Sequence, residues 1–113
     1  MIRKEYVERD GVLTARVTFT FPESVWADTM FLVGDFNGWH RTSHPMRRVR
    51  SGKWILTLNL ELGRAYQFRY LQDNDAWLND TQADAYVCNP YGTVNFVVIT
   101  DPAFHPYCDV HPL

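Results

Sequence analysis

Four side chains in this sequence combine a type and a placement that could grip a ligand. In FLVGDFNGW, Phe31 to Trp39, an apolar strand over Met30–Val33 runs into Gly34 and Asp35, and the Asn37-Gly38 pair turns the chain. Asn-Gly is a strong turn signal because both residues tolerate positive φ. Trp39 follows at once, so its ring is delivered on a loop. The polar stretch DNDAW, Asp73 to Trp77, makes a second loop that presents a second tryptophan. Arg69 faces away from Tyr66, Phe68 and Tyr70, and Asn95 faces away from Phe96 and Val98. Asparagine is depleted in strands, so Asn95 needs a reason to be there. A loop tryptophan either caps a core or stays open as a platform, and an outward arginine is ordinarily only solvated. If the four converge, they suit a flat, partly apolar ligand, whose apolar face an aromatic can cover and whose polar groups planar side chains can pair with. Strand parity allows Arg69 and Asn95 to share one face.

Other reactive residues do not form a convincing set. His105, Cys108 and His111 stand at H-x2-C-x2-H spacing, but a zinc site needs a fourth ligand and a characteristic second pair, so no metal is expected. Cys88 has no basic neighbour in sequence to activate its thiol. Cys88 and Cys108 are too few for a disulfide framework, and a single bridge between them stays open. The chain has no G-x-S-x-G, H-E-x-x-H or phosphate-cradling glycine loop. Asp73, Asp75, Asp80 and Asp84 cluster in a polar region where carboxylates are usually solvated, whereas glycoside hydrolysis needs a pair flanking the scissile bond. The expectation is a chain with no catalytic residues and no cofactor.

The elements that must position these side chains read as strands. Leu13, Ala15, Val17, Phe19 and Phe21 alternate with Thr14, Arg16, Thr18 and Thr20, and Pro22 ends the run. Pro45 opens a short edge segment, Met46–Val49. Trp54, Leu56, Leu58 and Leu60 share the face of the next strand, which makes Trp54 a core residue. The Tyr66, Phe68, Tyr70 stripe belongs to the core as well. Asn79 to Gly92 reads as loop, and Val94–Ile99 as the closing strand. Trp26 lies in a connection, and nothing assigns it a task. Strands punctuated by turns, with no helical period, predict one all-β sandwich over residues 1–100, followed by an irregular tail, 101–113, that holds three of the six prolines.

With 113 residues, the chain is long enough for a single two-layer core. Aromatics make up 15% of it, which suits strands and surfaces that hold flat ligands. Net charge is −2, and the densest basic run, Met46–Arg50, is too short to neutralise many phosphates, which argues against nucleic acid. No apolar run approaches the length that spans a bilayer, and the charged start MIRKEYVERD lacks the apolar stretch of a secretory signal. The expected location is the cytoplasm.

The series V-T-F-x-F-P, L-V-G-D-F-N-G-W, G-x-W with a leucine-rich strand, Y-x-F-R-Y, W-x-N-D and N-P-Y-G-T-V-N carries a resemblance over about residues 12–100. It resembles the early-set module at the N-terminus of isoamylases and glycogen-branching enzymes of glycoside hydrolase family 13. It is similar to the family-48 carbohydrate-binding modules, including the glycogen-binding domain of the AMP-activated kinase β subunit. The resemblance implies an immunoglobulin-like, early-set β-sandwich that binds α-glucans such as glycogen, starch or maltooligosaccharides without cutting them. Catalytic carboxylates of such enzymes are expected in a separate barrel. It also implies the site: Trp39 and Trp77 as stacking platforms, and Arg69 where the family often has a lysine that meets sugar hydroxyls. Tyr91 takes the place of an apolar residue that packs on the glucan, and Thr93 and Asn95 lie in the G-T-V-N segment. DNDAW is one residue longer than the common D-G-x-W, which bears on the reach of Trp77. The alternative reading is a protein-interaction module that docks on a glucan-processing enzyme or a regulatory partner through the same aromatics.

Overall fold

The computed structural model describes residues 2–22, 27–78 and 82–104, and within them the chain is a sandwich of two antiparallel sheets. The first sheet has the order β1-β2-β5-β4, formed by Ile2–Arg9, Val12–Phe21, Trp54–Leu60 and Arg47–Arg48. The second has the order β3-β6-β9-β8, formed by Met30–Gly34, Ala65–Gln72, Val94–Ile99 and Ala85–Cys88. A short strand, β7, Ala76–Leu78, pairs with the C-terminal half of β6. Its partners there are Tyr70 to Gln72, while β9 pairs with Ala65 to Phe68, so β7 and β9 occupy successive stretches of one side of β6.

The core is what alternation dictates. Ala15, Val17 and Phe19 of β2 point inward and are fully buried. They meet Leu32 of β3, Phe68 and Tyr70 of β6, and Val98 of β9 in one cluster. Phe68 sits at its centre, edge-on to Phe19 at 5.1 Å and to Tyr70 at 5.6 Å between ring centroids, arrangements that ring quadrupoles favour. Trp54 and Leu60 are buried from the opposite sheet, as the sequence pattern predicts.

Three elements differ from the sequence reading. β1 is a full strand although IRKEYVER shows no apolar alternation, because an inward position is filled by Lys4. Its ammonium pairs with Asp84 at 2.7 Å and donates to the Ile99 carbonyl at 2.8 Å, and Asp84 also accepts the Ile99 amide. Both side chains are largely buried, at 14% and 8% exposure, a burial tolerated only because each charge is matched. Ala85–Cys88, within the stretch read as loop, is an edge strand that among the described residues pairs only with β9, with Tyr86 and Val87 exposed. Trp77 stands on β7 and not on a loop: Asp73 and Asn74, at φ 52° and 56°, make the turn, and Trp77 lies opposite Leu71.

Among the described residues, no helix is long and apolar enough to cross a membrane, and no group of three His, Cys, Asp or Glu is placed to hold a metal ion. Trp26, Asp80, Cys108, and the His105–Cys108–His111 pattern lie outside the described residues, as does most of the tail. Cys88 is a free, exposed thiol.

Candidate functional site

The first wall of the site grows out of the end of β3. A single 3-10 turn, Asp35–Asn37, follows Gly34, and the side chain of Asn37 sews it in place. Its Oδ1 accepts the Gly34 amide at 3.1 Å, while its Nδ2 donates to the Leu32 carbonyl at 3.0 Å and lies 3.0 Å from His44 Nδ1. Asn37 therefore serves through its amide and not through positive φ. The left-handed positions are Gly38 and Trp39, at φ 62° and 61°.

That conformation is uncommon for a bulky residue and persists only where the surroundings enforce it. Here the Trp39 amide donates to the Gly34 carbonyl at 2.9 Å, and the indole N–H donates to Asp35 Oδ1 at 2.9 Å. The other oxygen of the same carboxylate accepts the Gln67 amide at 2.7 Å. One carboxylate thus ties the Trp39 ring to β6, and the indole N–H is used internally, leaving the ring to act through its apolar surface.

The second wall is Trp77. The guanidinium of Arg69 lies over its ring, 5.3 Å from the centroid, and its Nη1 donates to Thr93 Oγ1 at 3.5 Å. Arg69 Nε is buried without a hydrogen-bond partner, and burial holds the guanidinium below its ordinary pKa. The hairpin that carries Trp77 is anchored by Asp73, whose Oδ1 accepts the Asp28 and Thr29 amides, each at 2.8 Å.

Hydrogen bonding, first from the Thr29 amide, holds the Asp73 carboxyl below its ordinary value of 3.8. The unfolded chain therefore takes up this proton first. The contribution of Asp73 to stability is complete above pH 3.8 and is lost as pH falls through the lowered folded value. Asp73→Asn should flatten the fall of the urea midpoint with pH in that acid window while leaving its slope near neutrality unchanged. Parallel acid curves for the two proteins would count against the anchor.

The floor and far rim come from the turn between β8 and β9. Asn89 organises it: Oδ1 accepts the amides of Tyr91 at 3.0 Å and Thr93 at 3.1 Å, while Nδ2 donates to Thr93 Oγ1 at 2.6 Å and Asn95 Oδ1 at 3.1 Å. These bonds use the full capacity of an amide side chain. Asn95 Nδ2 in turn donates to Gln67 Oε1 at 3.0 Å. An amide keeps one N–H and one lone pair free after those two bonds, so Asn95 retains both for a ligand hydroxyl. Thr93 Oγ1 accepts from two donors, which leaves its hydroxyl proton free to donate. Tyr91, at the tip of the turn, is 89% exposed.

Trp39, Arg69, Trp77, Tyr91, Thr93 and Asn95, singled out from the sequence, all line one open cleft of about 550 Å³, together with Asn89 and Pro90. Arg69 and Asn95 do share the outer face of the second sheet. Asn89, Asp35 and Gln67 were not legible as site residues. The Asn-Pro pair reads only as a turn, Asp35 works by bridging the Trp39 indole to the Gln67 amide, and Gln67 by accepting from Asn95 across the sheet, contacts that no spacing reveals.

A sequence model described as carbohydrate-binding module 48 (isoamylase N-terminal domain) matches residues 18–92. The chain is similar to the 1,4-alpha-glucan branching enzyme GlgB of Cupriavidus pinatubonensis, with 33% identity over 98 residues, covering 82% of this chain and 13% of that enzyme. It is also similar to GlgB of Corynebacterium jeikeium, with 30% identity over 83 residues, covering 69% of this chain and 12% of the enzyme. A shorter stretch of 30 residues is 54% identical to the branching enzyme of Dictyostelium discoideum, covering 26% of this chain and 4% of that protein. The chain spans only a small part of the length of these curated relatives.

Proposed function

From the premise that this chain belongs to the carbohydrate-binding module 48 family, we propose that its cleft holds α-glucans, such as glycogen, starch or maltooligosaccharides, without cutting them. The observation that carries this reading is the convergence of two indoles, a guanidinium, an amide and a hydroxyl on one open cleft. The aromatic surfaces suit the C–H faces of glucose units, and the groups of Arg69, Thr93 and Asn95 suit their hydroxyls. Supporting the non-catalytic part, no carboxylate among the described residues lines the cleft, and the nearby Asp35 has both oxygens engaged with Trp39 and Gln67. Glycoside hydrolysis requires two carboxyl groups across the bond to be broken.

An open cleft desolvates little, so affinity for a free oligosaccharide should be micromolar to millimolar, on the order of 4–8 kcal/mol. Branched polymers present many chain ends and raise the apparent affinity. The partner that fits this reading is a glucan-processing enzyme, on the same polypeptide or a separate one, working in the cytoplasm. Affinity electrophoresis in glycogen-containing gels tests the proposal. The domain should be retarded, and maltoheptaose should relieve the retardation. Mobility that glycogen leaves unchanged sinks the glucan reading and leaves the aromatics to a protein interface.

A further inference from the structure

Two residues beyond Trp39, the side chain of Arg41 reaches across to the β6–β7 hairpin. Its Nε donates to Asn74 Oδ1 at 3.2 Å and its Nη2 to the Asn74 carbonyl oxygen at 3.0 Å. The same guanidinium lies over the Trp77 ring, 5.5 Å from the centroid. One side chain on the Trp39 loop thus holds both the tip of the hairpin and the aromatic it carries. β7 is only three residues long, so the hairpin has few ladder bonds of its own to hold its tip in place. Asp73 fastens it on the side of Thr29, and Arg41 fastens it to the loop that bears Trp39.

We infer that Arg41 is a specificity-determining positioning residue. By clasping Asn74 and Trp77 to the loop that bears Trp39, it sets the gap between the two indole walls before a ligand arrives, and so favours a glucan already curved to that gap over an equally long flexible one. This rests on the reading of the cleft as a glucan site. Arginine suits the task because its planar fork offers parallel donors to Asn74 and a flat face to the indole, which a lysine ammonium does not. Without the clasp, the ligand must order the second wall as it binds. A ring-closed glucan cannot reshape itself to a displaced wall, whereas a linear one adapts and loses less.

Tryptophan-fluorescence titration with β-cyclodextrin and with maltoheptaose, which contain the same number of glucose units, tests this. The wild-type domain should prefer the cyclic ligand. Arg41→Ala should lose about tenfold for β-cyclodextrin and no more than about threefold for maltoheptaose, narrowing the preference. Arg41→Lys, with the charge but not the fork, should resemble Arg41→Ala. Asn74→Gly removes the side-chain acceptor while easing the left-handed backbone, so it should fold, as circular dichroism would verify, and narrow the preference part of the way. That variant keeps the test decisive should Arg41→Ala not fold. The inference is overturned if the wild type shows no preference for the ring, or if the folded variants weaken both ligands equally or neither. In those cases wild-type binding leaves the glucan reading standing. A wild type that binds neither sugar overturns both.

Discussion

Trp39→Ala should abolish retardation in glycogen gels while leaving the circular dichroism spectrum unchanged. The expected loss is at least tenfold in affinity. Removing a large aromatic anchor from a binding site costs on the order of 2 kcal/mol or more, and tenfold corresponds to about 1.4 kcal/mol. The ring stands on a loop outside the core, so its removal leaves no cavity between the sheets. Its amide still donates to the Gly34 carbonyl whatever the side chain. Trp39→Gly sharpens the test. At φ 61° a glycine is relieved of a steric cost of about 1–2 kcal/mol, so this variant should unfold at an equal or higher urea concentration while binding no glycogen. A stability loss in step with the binding loss would make the ring a plug on the sandwich and not a platform.

Gly34→Ala should do the opposite and take the fold down with the site. An added Cβ there would run into the Gln67 carbonyl oxygen and stand 2.9 Å from both Phe68 Cβ and Phe36 Cζ. Two of these obstacles belong to β6, the strand at the centre of the second sheet, and cannot swing aside. The backbone of Gly34 is extended, at φ −176°, so the obstacle is space and not conformation. Overpacking at such a point costs about 3 kcal/mol or more, which for a domain this size lowers the melting temperature by about 10 °C or more. Glycogen binding should fall with it, because Gly34 also supplies the carbonyl that holds the Trp39 amide. Gly38→Ala is the control: its Cβ would meet open space, and only the positive φ is strained, at about 1 kcal/mol. If Gly34→Ala unfolds no earlier than Gly38→Ala, the close approach of β3 to β6 is softer than its geometry says.

The two kinds of legibility differ in cause. Period-2 alternation exposed β2, β5, β6 and β9 because each buries one face, and burial writes itself into residue type. β1 escaped because the inward Lys4 is balanced by Asp84, far away in sequence. β8 escaped because an edge strand with an exposed face has little apolar pattern to show. Within the cleft, residues that would touch a ligand announce themselves as misplaced aromatics and amides. Those that hold them do not: Asp35 grips an indole N–H and a distant backbone amide, and Asn89 spends its whole amide on Tyr91, Thr93 and Asn95. The register of β7 shows the same limit, since the sequence of DNDAW does not reveal that the turn would close by Asp73 and leave Trp77 on a strand.

The tie between Lys4 and the last strand also has a kinetic meaning. The lysine's acceptor, the Ile99 carbonyl, is 95 residues away along the chain, and its counter-charge enters with β8. Such distant contacts close slowly, since the intervening loop must be ordered before they are gained. On a ribosome, the opening hairpin would emerge early and then wait, its ammonium facing an unfinished interior, until nearly the whole domain had been made. Truncation before β9 should therefore yield not a smaller sandwich but a chain seeking partners, with proteolysis and aggregation as its usual ends.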